Sequence, residues 1–115
     1  MNYRIIYTQE SEQDLVNIYR YIAINLSLPE TAKRQTDRIV KAIEGLDEMP
    51  LRHKLYQNEP WHSRGLRVLP VDNYLVFYVV VEEEKLVAIV RVMYGGRNIE
   101  LQLSNIKDES SLSSL

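Results

Sequence analysis

The chain has 115 residues, 45% of them hydrophobic and 26% charged, with a formal net charge of −2 and no cysteine. That length suits one domain with a modest core, and the composition excludes both a disordered polymer and a bundle of membrane helices. The acidic balance argues against a surface that clings to nucleic acid throughout. The missing cysteines exclude a disulfide framework, a thiol nucleophile and a thiolate metal site, which fits a reducing cytoplasm.

Tyr3 to Tyr7 alternates weakly around Arg4 and predicts a short strand. Its flanks carry neither the charge nor the long apolar core of a signal peptide. Thr8 is placed to cap a helix whose first turns hold Glu10, Glu12 and Asp14, acids that favour the positive end of the helix dipole. Leu15, Ile18, Ile22 and Leu26 then recur at three and four, so the first helix is expected from Gln9 to about Asn25.

Ser27-Leu28-Pro29-Glu30 has the spacing of a capping box with proline in the first turn. A second stripe, Ala32, Ile39, Ile43 and Leu46, runs on to Met49-Pro50, and the two helices form an antiparallel hairpin.

From Leu51 to Gly65 the apolar period is lost and a long loop is expected. Strands follow at about Leu66 to Val71, Tyr74 to Val81 and Leu86 to Tyr94, joined by an Asp72-Asn73 turn and by Glu82-Glu83-Glu84-Lys85. The middle strand is apolar on both faces, as an interior strand should be. The order β-α-α-β-β-β implies an α+β fold: a small, mainly antiparallel sheet, mixed where the first strand joins it, with the helical hairpin packed on one face. Residues 1–103 make the domain. Residues 104–115 hold five serines and read as a flexible tail.

Chemistry has few candidates. Ser63 beside His62 is weak ground for a nucleophile and base, and two histidines nine apart with scattered carboxylates do not make a metal site. No cofactor is implied. Phosphate chemistry has more to work with: from Leu51 to Val81 there are four bases (Arg52, Lys54, Arg64, Arg67) against Glu59 and Asp72, with His53 and His62 in addition. This is the only net-positive third of the chain. Arginines 67, 91 and 97 could offset charge on a phosphate, and a histidine could titrate near neutrality. Trp61, Tyr74 and Tyr94 could stack on bases, whereas Phe77 and Tyr78 suit the core. Arg91, between Val90 and Val92, has the competing expectation of a carboxylate partner.

The succession Arg67-Val68-Leu69-Pro70-Val71-Asp72-Asn73-Tyr74, Val76-Phe77-Tyr78 and Val90-Arg91-Val92-Met93-Tyr94-Gly95-Gly96-Arg97-Asn98-Ile99-Glu100 resembles the C-terminal half of the RelE/ParE superfamily. Its members are toxins of bacterial type II toxin-antitoxin, or plasmid stabilisation, modules. Gln13-Asp14-Leu15 is similar too, and the resemblance spans about residues 2 to 101. It implies the fold derived above, a cognate antitoxin, growth arrest when that antitoxin is lost, and operator DNA reached only through the antitoxin. Two targets are implied within the superfamily: RelE-like members cut mRNA on the ribosome and ParE-like members poison DNA gyrase.

The ribonuclease members carry an arginine where this chain has Leu75, a tyrosine where it has Leu103, and lysines where it has Leu66 and Val68; only Arg97 matches. These departures favour a ParE-like toxin over an mRNA interferase, with a degenerate toxin that only binds its antitoxin as a third reading. For a metal-independent ribonuclease the candidate catalytic residues are Arg97, Arg67, His62 and Arg64. For contact with a target they are Arg91, Tyr94 and Arg97.

Overall fold

The computed structural model describes residues 2–96 and 99–104. Strand β1, Arg4–Tyr7, leads into helix α1, Gln9–Arg20, which widens into a π turn at Tyr21–Asn25. Thr8 caps α1 as expected, its Oγ1 accepting from the Ser11 amide at 3.1 Å. Helix α2, Pro29–Glu44, begins on the proline. The capping box does not form: Leu28 occupies the cap without a side-chain bond, and Ser27 sits in the left-handed region at φ 57°. The reversal explains this. Ser27 and Leu28 spend their amides on Ile24 O and Ile22 O at the end of the preceding turn, so the serine ends one helix instead of starting the next.

Helix α2 stops at Glu44, earlier than the apolar stripe suggested, and two 3₁₀ turns carry the chain through Leu46 to Arg52. Strands β2 (Arg67–Val71), β3 (Tyr74–Val81) and β4 (Leu86–Tyr94) follow, and then a short helix α3, Ile99–Leu103. The sheet order is β1-β4-β3-β2. Strand β1 runs parallel to β4 and the other pairs are antiparallel, which is the mixed sheet expected. The Asp72-Asn73 turn is anchored from the side by α2, where Arg38 Nε and Nη2 each donate to the Asp72 carboxylate at 2.8 Å and Gln35 adds a bond of 3.0 Å.

Two apolar layers sandwich the sheet. On one face Ile39, Ile43 and Leu46 of the α2 arm meet Leu69, Val76, Tyr78, Val87, Ile89 and Val92, with Leu15 and Ile18 of α1 against them. On the other, Phe77, Val79, Ala88, Val90 and Met93 are covered by Trp61, Leu66 and Leu103. The segment from Leu51 to Gly65 is therefore more than a connecting loop. It bridges to β2 at Leu55 and Arg67 and supplies the lid of the second layer. Trp61, expected as a base-stacking candidate, is buried in that lid.

Candidate functional site

The C-terminal end of β4 carries two of the marked residues, Arg91 and Tyr94. Strand β1 pairs only with Leu86–Ile89, so from Val90 onward that edge of β4 has no partner strand among the described residues. Helix α1 closes the first part of the gap. Thr8 Oγ1 donates to Val90 O at 3.0 Å, and Asp14 Oδ2 accepts from the Val92 amide at 2.8 Å. Opposite Phe77 and Tyr78 the register slips, the extra residue being Val90. Beside this bulge the Arg91 guanidinium reaches Asp14 through Nε at 2.7 Å and Nη2 at 2.8 Å. The pairing raises the Arg91 pKa, chiefly through the hydrogen bond to Asp14 and against the opposing effect of burial.

Beyond Val92 the edge opens into a groove of about 770 Å3, with Tyr21, Leu26, Leu28, Tyr74, Arg91 and Tyr94 in its walls. Tyr94 is half exposed and meets the Tyr74 ring edge-on at 5.8 Å. Leu26 and Leu28, just past the π turn, are each 47% exposed, and Ile24 on the turn itself is 70% exposed. A Cβ at Gly96 would lie 2.6 Å from the Tyr94 ring, so a larger residue there would displace that half-exposed side chain. Arg97 lies outside the described residues.

The other candidates sit apart from this groove. Arg67, on the edge strand β2, donates to Leu51 O at 3.3 Å and His53 O at 2.7 Å, tying the lid to the sheet. The exposed His62 places Nδ1 2.9 Å from Tyr56 O, and Arg64 stacks 5.2 Å from the Trp61 ring centre. No hydrogen bond joins Arg67 to His62. Burial, then the neighbouring Arg52 charge, holds the His53 pKa below its ordinary value. Among the described residues no three histidine or carboxylate side chains converge as a metal site, and no helix is long and apolar enough to cross a membrane.

The four positions that RelE-like ribonucleases fill with arginine, lysine and tyrosine come together here as apolar packing. Leu66 and Leu103 are wholly buried in the second layer, and Val68 and Leu75 pack against it. Asp14 is the residue that sequence reasoning undervalued. It reads as a dipole-favouring acid in the second turn, yet its role is to complete a sheet edge 78 residues away.

A family model described as the ParE toxin of the type II toxin-antitoxin system parDE matches residues 5–99. The chain belongs to the ParE toxin family. No curated relative matches the sequence. Solved structures agree on the fold of this toxin. The chromosomal ParDE system of Pseudomonas aeruginosa superposes with a TM-score of 0.65 at 21% identity, covering 80% of this chain and 95% of that one. A RelBE toxin-antitoxin complex of Mycobacterium tuberculosis gives 0.62 at 24%, covering 82% and 92%. The archaeal RelE-RelB complex of Pyrococcus horikoshii gives 0.56 at 19%, covering 85% and 100%. The resemblance seen in the sequence is thus to the right superfamily, and its ParE branch is the one whose model matches.

Proposed function

We propose that this toxin arrests growth by binding DNA gyrase and not by cutting RNA. One observation carries the reading: of Leu66, Val68, Leu75 and Leu103, the positions where the ribonuclease branch keeps its cations and its tyrosine, Leu66 and Leu103 are fully buried, and Val68 and Leu75 are partly buried against the same apolar layer. Cleavage by attack of a 2′-hydroxyl needs a base, an acid and cations around the phosphorus, and a packed apolar layer supplies none of them. The net charge of −2 supports the same reading, because the ribosome is a polyanion that an acidic protein approaches against its field. Tyr94, the last residue of β4, and Arg97, three positions further along the sequence, are the proposed target contacts.

The proposed partner in the resting state is the module's antitoxin. The three structural relatives were solved as, or belong to, toxin-antitoxin assemblies. The groove beside β4 offers what such a chain needs: an open strand edge for main-chain bonds and exposed Tyr21, Leu26, Leu28 and Tyr94 for side-chain burial.

Expression of the toxin from an inducible promoter without an antitoxin separates the targets. Gyrase-DNA complexes trapped with broken strands, together with an SOS response and intact mRNA ends, are expected. New codon-spaced mRNA 5′ ends on ribosomes, seen by primer extension, would restore the ribonuclease reading. Unimpaired growth at full expression would favour the degenerate toxin.

A further inference from the structure

A second cavity, of about 610 Å3, lies beside β2, away from the β4 groove. Arg52, His53, Lys54 and Gln57 stand in its walls, and Val68 and Pro70 with Tyr56 give it an apolar side. Its charge is out of keeping with the rest of an acidic protein. Among the described residues no carboxylate pairs with Arg52, Lys54 or the adjacent Arg67: Arg52 donates to the carbonyls of Glu48 and Met49, and Arg67 to those of Leu51 and His53. The acids of this stretch are engaged elsewhere, Asp72 with Arg38 and Gln35, Glu59 with Ser63. Glu100, the acid that reaches this side from α3, is held by the Tyr56 hydroxyl and the Asn58 amide.

His53 lines the same cavity, and its buried Nε2 has no hydrogen-bond partner among the described residues.

The shape selects among anions. An acidic peptide adding as a strand would need a free edge on β2, but that edge is taken: Tyr56 N donates to Leu66 O at 2.7 Å and Val68 N to Lys54 O at 3.0 Å. Pro70, further along, has no N–H to offer. A volume of about 610 Å3 falls in the ordinary range for small-molecule sites, roughly 300–1,000 Å3, and the cations share its walls with Tyr56, Val68 and Pro70. We propose that this cavity binds a nucleotide, with the base against Val68, Pro70 and the Tyr56 ring, and the phosphates at Lys54 and Arg52. Gln57, which also lines the cavity, has an amide with donors and an acceptor for the base edge. The site stands on its own geometry and does not depend on gyrase being the target.

The test is titration of the full-length toxin with ATP carrying a methylanthraniloyl fluorophore on the ribose, with ATP, adenosine and inorganic pyrophosphate as competitors. Saturable binding is expected, displaced by ATP at concentrations at least about tenfold below those of adenosine or pyrophosphate, because each competitor keeps only half of the contacts. The Lys54 side chain is exposed and has no partner among the described residues, so Lys54→Glu should keep the melting temperature while weakening binding about tenfold, and Lys54→Arg should restore it. Absence of saturable binding, equal affinity in Lys54→Glu, or pyrophosphate competing as well as ATP would each overturn the proposal.

Discussion

Asp14 and Arg91 lie 77 residues apart and form a two-pronged ion pair, 2.7 and 2.8 Å, that also holds the Val92 amide. Their side chains are only 11% and 15% exposed. The pair therefore joins α1 to β4 where β1 has ended, and Arg91 Nη1 reaches on to Gln102 O of α3 at 3.5 Å. Arginine takes part here as a structural fork, whatever else it touches in a complex.

Removing one partner should be costly. Asp14→Ala leaves a largely buried guanidinium and a bare strand amide, and a loss of about 3–5 kcal/mol is expected in urea unfolding. The double substitution Asp14→Leu with Arg91→Met should recover much of that loss, since neither charge is then stranded. Additive losses in the double-mutant cycle would show that the pair is not coupled.

The second apolar layer gives a separate stability test. Phe77 is fully buried, with the Tyr56 ring edge-on at 5.7 Å, and Phe77→Ala should cost about 3–5 kcal/mol. Leu103, from a helix of only five residues, is equally buried. Leu103→Ala should cost about 2–5 kcal/mol, and a neutral result would mean that α3 does not cover the sheet in solution.

The strands and helices were legible because their residues repeat with the period of the element: Leu15, Ile18 and Ile22 on α1, Ile39, Ile43 and Leu46 along the α2 arm, and unbroken apolar residues through β3. The mixed sheet followed from element order. What stayed hidden depends on contacts between distant segments. Trp61 and Leu66 have no periodic neighbours, so their place over Phe77 could not be read locally. Ser27 fits a cap by spacing but is claimed by the turn before it. Arg91 was legible only as a choice between a carboxylate and a target, and its partner Asp14 was visible in sequence as a helix-start acid. The β4 groove was missed because Leu26 reads as the end of the first helical stripe, whereas just past the π turn at Tyr21–Asn25 it is 47% exposed and lines the groove with Tyr94.

Alkali should weaken the fold through Tyr78. Its hydroxyl donates to Pro50 O at 2.6 Å, and burial pushes the phenol up to about 12 against the opposing charges of Arg67 and Arg52. A folded-state value raised above the unfolded one gives stability that is complete below about pH 10 and is lost as the pH climbs toward 12, by up to about 3 kcal/mol. Tyr7, Tyr56 and Tyr74 are shifted in the same direction, so Tyr78→Phe should reduce the alkaline slope without abolishing it. An unchanged slope between pH 9 and 12, followed by circular dichroism in urea at about unit intervals, would contradict the buried phenol.

The β4 groove should bind the antitoxin through residues that the fold itself does not need. Tyr94→Asp and Leu28→Asp change exposed side chains and should shift folding stability by less than about 0.5–1 kcal/mol. Each should weaken the antitoxin complex by roughly tenfold or more in calorimetry, as loss of an anchor does. Full affinity in both variants would place the antitoxin elsewhere.

The most direct measurement adds purified, antitoxin-free toxin to DNA gyrase, ATP and relaxed plasmid, with programmed ribosomes carrying a defined mRNA in a parallel reaction. If the apolar layer at Leu66, Val68, Leu75 and Leu103 has replaced a ribonuclease centre, supercoiling stops, cleaved plasmid accumulates and the mRNA stays whole. Cleaved mRNA beside undisturbed supercoiling would contradict the assignment of gyrase as the target.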